Sequence, residues 1–258
     1  MNSFRKYILV FVWFILRPKY YRHLAFLIKL KFIPKNNFKE IDLSSTGWCE
    51  KKAISSQEAI FHITGRYPAY SVKSLYKGVF RVASKKVASY PVRFGGGADL
   101  DLLYYLAEHF KVTNVIETGV AYGWSSLALL LSMLKRPGSK LISTDFPYQQ
   151  FGSEKYIGCV VPHYLRHLWQ LILRPDRESI PILLGKFSSI DMCHYDSDKS
   201  YSGRIWAYQR IWSLLKKGGI FISDDISDNY AFRDFFQKKC YDPVIVRFSS
   251  KYIGIVIK

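Results

Sequence analysis

The sequence has few cysteines, few acidic residues and no apolar run long enough to cross a membrane. Its four cysteines lie far apart and form no CxxC pair, so neither a disulfide framework nor a structural zinc site is expected. Reduced thiols in a cytosolic protein are the simplest prediction. The apolar run over residues 7–16 is ten residues long, about half of the roughly 20 that a spanning helix needs. No small-residue cleavage site follows it, which argues against a signal peptide.

The scarcity of acids is greatest in the N-terminal third. The chain has 38 Lys and Arg against 20 Asp and Glu, and residues 1–90 hold 17 of those bases but only 4 of the acids. Apolar and aromatic side chains accompany the bases in residues 1–33, among them Trp13, Phe14, Phe26 and Leu27. This combination is typical of a segment that lies in a membrane interface. We therefore predict a cytoplasmic protein, peripheral on the cytoplasmic membrane face; the alternative is an arm packed on its own domain or on a second subunit.

The glycine cluster at residues 95–97 divides the chain. We predict a basic, partly amphipathic N-terminal region over residues 1–90 and a core domain over residues 91–258. Asp99 or Asp101 is expected to start an amphipathic helix whose apolar face contains Leu102, Leu103, Leu106 and Phe110.

Beyond that helix, strand-like and helix-like segments alternate. Strands are predicted at 112–118, 140–145, 181–185, 190–196, 219–225, 243–248 and 252–258, and helices at 125–136, 160–173, 203–217 and 228–240. Such alternation predicts an α/β fold in which a doubly wound, mostly parallel sheet is covered on both faces. We expect seven strands, with the C-terminal hairpin adding one antiparallel strand.

The first predicted strand ends in the sequence ETGVAYGWSS, residues 117–126. Gly119 and Gly123 allow a tight turn and a close approach of a ligand, and Ser125 and Ser126 lie at a helix start that favours an anion. The pattern is neither GxGxxG nor a GxxxxGK[ST] phosphate loop. A plain strand-to-helix turn is the alternative interpretation.

This stretch resembles the first motif of the class I S-adenosylmethionine-dependent methyltransferases, [E/D]-x-G-x-G-x-G, with Ala121 in place of the middle glycine. The resemblance implies that S-adenosyl-L-methionine is bound by a set of residues at the ends of the first two strands. Asp145, which ends the second strand, would hold the two ribose hydroxyls. The full set is Glu117, Thr118, Gly119, Gly123, Ser125, Ser126 and Asp145.

Two pairs of carboxylates follow two other predicted strands. Asp196 ends one of these strands and Asp198 lies two residues further on, and Asp224 and Asp225 end the next strand. Neighbouring parallel strands lie about 4.8 Å apart, so the four side chains are expected to converge. Like charges at that distance need a cation, and oxygen ligands suit Mg²⁺, Mn²⁺ or Ca²⁺. The alternative is that these residues cap helix N-termini.

The same stretch resembles the metal-dependent sugar O-methyltransferases related to macrocin O-methyltransferase, through a D-x-D-x-x-Y pattern and a following Asp pair, over about residues 92–258. The resemblance implies that Asp196, Asp224 and Asp225 hold Mg²⁺ or another hard divalent cation. It implies that Asp198 is the general base and that the acceptor is a sugar or glycan hydroxyl.

Three neighbouring side chains leave alternatives open. Lys199 could lower the pKa of Asp198, take the acceptor proton itself or bind substrate. Tyr201 and Arg204 could position the acceptor or only begin the following helix, and for Arg204 we favour the helix.

Two other functions compete with sugar O-methylation. The overall charge suggests a nucleic-acid methyltransferase. Residues 196–199 read DSDK where amino-methylating relatives have an Asn/Asp-Pro-Pro-aromatic signature, and residues 91–258 carry a net charge of only +5, so a nucleic-acid partner is not expected. A non-catalytic, membrane-associated protein with a methyltransferase-like core is the other alternative. A second copy of the chain is a further candidate partner.

Overall fold

The computed structural model of the chain describes residues 3–31, 43–91, 93–95, 97–149 and 152–258. Parts of the predicted N-terminal arm and of the glycine cluster therefore lie outside the described residues. The helices are α1 (Ser3–Ile15), α2 (Tyr21–Lys31), α3 (Leu43–Lys52), α4 (Ser56–Thr64), α5 (Val72–Leu75), α6 (Lys77–Ala88), α7 (Leu100–His109), α8 (Trp124–Met133), α9 (Asp176–Leu184), α10 (Tyr201–Leu214) and α11 (Ala231–Gln237). Short 3₁₀ helices occur at Pro18–Tyr20, Ser153–Tyr156, His163–Leu168 and Ile226–Asp228.

The strands form one sheet in the order β1-β7-β8-β6-β5-β2-β3-β4. Seven of them run parallel, and β8 alone is antiparallel to its two neighbours. The predicted α/β class, the mostly parallel sheet and the antiparallel C-terminal strand are confirmed, with eight strands rather than seven. Their bounds are β1 (Ala53–Ser55), β2 (Asn114–Thr118), β3 (Lys140–Asp145), β4 (Trp169–Leu173), β5 (Ile190–Tyr195), β6 (Leu215–Ser223), β7 (Val244–Phe248) and β8 (Lys251–Ile257).

Two predicted segments have a different structure. The predicted strand at 181–185 belongs mostly to α9, because Asp176 and Glu178 supply favourable charge to the first turn of a helix that continues through Pro181. The predicted helix at 160–173 is a 3₁₀ helix followed by β4, which pairs along β3 as an edge strand. Short apolar runs fit either structure, and here the free edge of β3 selects the strand.

The core consists of two apolar layers, one on each face of the sheet. Consecutive residues in a strand enter opposite layers, as Val115 and Ile116 do in β2. One layer is covered by α4, α7 and α8, and the other by α9, α10 and α11. As predicted, an aspartate starts the helix after the glycines: Asp99 accepts a hydrogen bond of 3.1 Å from the Leu102 amide at the start of α7.

The N-terminal region contributes to this sheet. β1 pairs parallel with β7, and α4 begins at a capping box in which Ser55 and Glu58 bond to each other's backbone amides. The domain boundary at residue 90 stays a prediction, although an edge strand comes from before it. Among the described residues, no helix combines the length and the apolar character required to cross a bilayer.

Candidate active site

A cavity of ≈ 1350 Å³ opens at the carboxyl ends of the parallel strands. Open α/β sheets bind ligands at this end. The cavity wall includes the loop after β2, Asp145 at the end of β3, residues 196–199 after β5 and Asp225 after β6. Parts of both predicted sites therefore line one cavity.

Two glycines shape the loop after β2. Gly119 has φ +78°, and a Cβ there would lie 2.1 Å from the Asp196 carbonyl oxygen. Gly123 has φ +93°, and a Cβ there would lie 2.9 Å from the Gly158 Cα. Both positions therefore require glycine. Ala121 also adopts a left-handed conformation, with φ +48°, at the position where the methyltransferase motif has its middle glycine.

Asp145 fixes this loop from the neighbouring strand. Its Oδ2 accepts hydrogen bonds from the Val120 amide at 2.9 Å and the Ala121 amide at 2.7 Å. Burial raises the pKa of Asp145 to about 6, although these amides act in the opposite direction. Asp145 thus lines the cavity and also fixes the loop that forms part of the cavity wall.

The other residues predicted to bind the donor divide into two groups. Ser125 lines the cavity together with Gly119, and Gly123 starts α8. Glu117, Thr118 and Ser126 are fully buried behind the loop. The Glu117 carboxylate accepts hydrogen bonds from the Ser126 hydroxyl at 2.5 Å and the Ser143 hydroxyl at 2.6 Å. Glu117 therefore stabilises the start of α8 through its hydrogen bond with Ser126. A direct role of Glu117 in donor binding stays a prediction.

A buried histidine connects the two halves of the site. Glu117 and His194 are register partners on β2 and β5, with Glu117 Oε1 3.6 Å from His194 Nδ1. On its other side, His194 Nε2 lies 3.8 Å from Asp224 Oδ1. Burial lowers the pKa of His194, but the two carboxylates outweigh burial and raise it to about 10. An imidazolium therefore neutralises two buried acids.

No role was predicted for His194 from the sequence. A signal was available, because Glu117 and His194 are each the last residue but one of neighbouring parallel strands.

The predicted metal site is not supported, because lysines neutralise its carboxylates. Lys199 Nζ contacts Asp196 and lies 2.7 Å from Asp225 Oδ2. Lys251 Nζ lies 2.6 Å from Asp224 Oδ2. Burial raises the pKa of Asp224, but His194 and then Lys251 outweigh burial and lower it to about 2. In the described part of the chain, no group of three or more His, Cys, Asp or Glu side chains is arranged to hold a metal ion. The sequence correctly brought Asp196, Asp224 and Asp225 together, but ammonium groups occupy the space between them.

Asp196 and Asp198 differ in their surroundings. Burial, followed by the charge of Asp224, raises the pKa of Asp196 to about 6, while Lys199 opposes this rise. Asp198 accepts a hydrogen bond of 2.9 Å from the Ser200 amide and lies against Gly203, where a Cβ would be 1.9 Å from its Oδ2. Both side chains line the cavity, but Asp198 also shapes the start of α10.

The two residues left open at the start of α10 contact other elements. Arg204 is fully buried and donates a hydrogen bond of 2.8 Å to the Asp225 carbonyl oxygen. The Tyr201 hydroxyl donates to Asp234 in α11 at 2.9 Å. Arg204 therefore supports the segment that carries Asp225.

The N-terminal arm packs on its own domain, which was the alternative prediction, and it also forms a wall of the cavity, which the sequence did not predict. His23 and Phe26 of α2 line the cavity, as does Phe146, which follows Asp145. The only sequence signal was the aromatic content of residues 20–26.

Comparisons with known proteins find similarity to methyltransferases, in a family model and in solved structures. Residues 116–226 match a family model described as "Methyltransferase domain". No curated protein matches the chain.

Solved structures share the fold. An O-methyltransferase from Bacillus cereus in complex with SAH is 14% identical and covers 81% of this chain and 100% of its own, with a TM-score of 0.54. The O-methyltransferase TomG from Streptomyces achromogenes, involved in tomaymycin synthesis and solved with SAM, is 13% identical with a TM-score of 0.55, covering 80% of this chain and 100% of its own. At this identity the likeness is one of fold.

Proposed function

We propose that the chain is an S-adenosylmethionine-dependent methyltransferase and that it methylates a hydroxyl oxygen of a sugar or glycan. One observation carries the proposal. The glycine loop with Asp145 and the Asp196–Lys199–Asp225 cluster line the same cavity, so a donor held by the first would lie beside an acceptor held by the second.

On the donor side, the residues present fit S-adenosylmethionine. Gly119 keeps the backbone free of a side chain where the loop meets β5, Asp145 offers a carboxylate in the cavity wall, and Ser125 lies in the first turn of α8. When bound, this molecule supplies a methyl group activated by its attachment to a sulfonium. The task left to the chain is to orient an oxygen toward that methyl group and to remove the oxygen's proton.

On the acceptor side, Asp196 is the proposed proton acceptor. A sugar hydroxyl is a poor nucleophile at neutral pH, and a carboxylate with a pKa of about 6 is suited to take its proton as the oxygen attacks. The adjacent Lys199 is held in its charged form: burial lowers its pKa, but Asp196 and Asp225 raise it by more. Its ammonium can stabilise negative charge on the acceptor oxygen. In this proposal Lys199 takes the role that the sequence assigned to a divalent ion.

The test uses two matched asparagine variants, Asp196→Asn and Asp198→Asn, in a methyl-transfer screen on glycan acceptors. Removing a general base lowers the rate by about 10²–10⁴. Asp196→Asn is therefore expected to lose at least about 100-fold in kcat with donor affinity unchanged in calorimetry, and Asp198→Asn less than about tenfold. The wild-type kcat should rise with pH through about 6, since the base must be ionised.

A larger loss of kcat in Asp198→Asn than in Asp196→Asn would make Asp198 the base, as the resemblance implied. Donor binding without transfer to any glycan would instead favour the non-catalytic alternative. Transfer to RNA would favour the nucleic-acid alternative. Absence of donor binding would refute the proposed function.

A further inference from the structure

The inner face of the N-terminal arm, residues 3–31, is fixed to the core by aromatic side chains. Trp13 and Tyr20 are fully buried and stack with ring centroids 5.1 Å apart, and Tyr20 packs edge-on against Phe146 at 5.3 Å. The Tyr20 hydroxyl donates a hydrogen bond of 3.2 Å to the Leu173 carbonyl oxygen at the end of β4. Arg17 adds an ion pair of 2.7 Å with Glu154. The arm is therefore an integral part of the structure near the cavity.

The same arm contributes to the cavity wall. The His23 ring lies 4.6 Å from Phe146, which follows the Asp145 of the donor side. The Phe26 ring centroid lies 5.6 Å from the Arg177 guanidinium. The side chains of His23, Phe26, Phe146 and Arg177 all line the cavity. Any displacement of α2 would therefore change the wall of the cavity.

The outer face of the arm is apolar and exposed. Of the nineteen large apolar side chains exposed among the described residues, nine lie within residues 8–28. Phe11 is 56% exposed and Leu16 62%. A concentration of this kind on a folded domain marks a site of interaction with a protein or a membrane. The nine are Ile8, Leu9, Phe11, Val12, Ile15, Leu16, Tyr21, Leu27 and Ile28.

The charge of the arm indicates which of these partners covers the outer face. Residues 1–31 contain seven Lys and Arg and no Asp or Glu. Two of these bases, Arg22 and Lys29, are exposed on α2 beside the apolar side chains. A second copy of the arm would bring like charges together, whereas an anionic lipid surface attracts each base. The 13 residues of α1 span about 20 Å, too short to cross a bilayer, so the arm would lie in the interface.

We propose that the outer face of α1 and α2 docks on an anionic bilayer, and that the cavity behind it methylates a hydroxyl carried on a membrane lipid. The second part rests on the proposed function, and the first does not. Both parts involve the arm, because its outer face would contact the bilayer while its inner face lines the cavity.

The test uses the full chain and two charge-matched double variants. Phe11→Asp with Leu16→Asp changes the outer face of the arm, and Val82→Asp with Leu134→Asp changes exposed apolar side chains of α6 and the end of α8. Sedimentation is measured with vesicles of phosphatidylcholine, with and without phosphatidylglycerol. The wild type and the control are expected to bind the anionic vesicles, and the arm variant to lose at least about tenfold in affinity, about 1.4 kcal/mol. Donor binding in calorimetry should be equal in all three proteins.

Equal vesicle binding by the arm variant and the wild type would overturn docking, as would a wild-type dimer that the arm variant converts to a monomer. Methyl transfer is then measured with monoglucosyldiacylglycerol in the vesicles and with free methyl glucoside. Transfer to the lipid that falls at least about tenfold in the arm variant, with no such fall for the soluble sugar, supports the lipid acceptor. An equal fall in transfer to the lipid and to the soluble sugar overturns the lipid acceptor. Vesicle binding with no transfer to either acceptor supports docking while the proposed function fails.

Discussion

Replacing His194 with glutamine tests the charge that joins the donor and acceptor sides of the cavity. Glutamine is polar and similar in size, but it carries no positive charge. Glu117 and Asp224, both fully buried, would then face each other without the imidazolium between them. The variant isolates the ionic contribution because the 3.6 and 3.8 Å contacts are longer than ordinary hydrogen bonds.

The magnitude follows from the pKa of His194. A rise from 6.5 to about 10 corresponds to roughly 5 kcal/mol of preference for the charged form. Removing one partner of a buried ionic group costs about 3–5 kcal/mol. We therefore expect His194→Gln to lower the free energy of unfolding at pH 7 by about 3–5 kcal/mol.

The pH dependence has a definite sign. Because its folded pKa is raised, the contribution of His194 is complete below pH 6.5 and is lost as the pH rises through about 10. The contribution of Asp224, whose pKa is lowered to about 2, is present above pH 3.8 and is lost as the pH falls through about 2. In the variant, Glu117 and Asp224 can relieve their repulsion by taking up protons. The destabilisation should therefore be smaller at pH 4 than at pH 7.

The assay is urea unfolding at both pH values, with His163→Gln as the control because His163 is exposed. The control should lie within about 0.5 kcal/mol of the wild type, as is usual for surface substitutions. A loss below about 1 kcal/mol at pH 7 in His194→Gln, or an equal loss at the two pH values, would mean that the imidazole is neutral in the folded protein.

Two further predictions concern the donor loop and the acid cluster. Gly119→Ala combines a left-handed φ with a Cβ 2.1 Å from the Asp196 carbonyl oxygen. We therefore expect about 2–5 kcal/mol of destabilisation in urea unfolding and at least about tenfold weaker donor binding in calorimetry. Donor affinity equal to that of the wild type would contradict the role of the loop. Methyl transfer should persist in EDTA, since Lys199 and Lys251 neutralise the carboxylates of the acid cluster. Loss of activity in EDTA with recovery in Mg²⁺ would show that a divalent ion displaces the lysines.

The sequence predicted those parts of the fold that depend on local chemistry. The glycine turn was predictable because Gly119 and Gly123 occupy positions that exclude a side chain. The convergence of Asp196 with Asp224 and Asp225 was predictable because parallel strands end at one edge of a sheet. The first inference needed only the local sequence, and the second needed only the ends of the predicted strands.

The parts that the sequence missed depend on distant contacts. The three residues of β1 are too few to show a period, and they form a strand because β7 offers a free edge. Lys251 lies 27 positions after Asp224, and only the hairpin brings its ammonium to that carboxylate. Lys199 was visible beside Asp198, but its contacts with Asp196 and Asp225 required the fold. A metal was therefore predicted where lysines supply the charge.

The chemical fate of a labelled methyl group shows whether the protein methylates oxygen. The wild-type protein is incubated with methyl-labelled S-adenosylmethionine and a glycan acceptor, and the bond that carries the label is determined. We expect a methyl ether on oxygen that is stable to alkali and strongly reduced in Asp196→Asn. Label on nitrogen, label in an alkali-labile ester, or no transfer to any acceptor would contradict it.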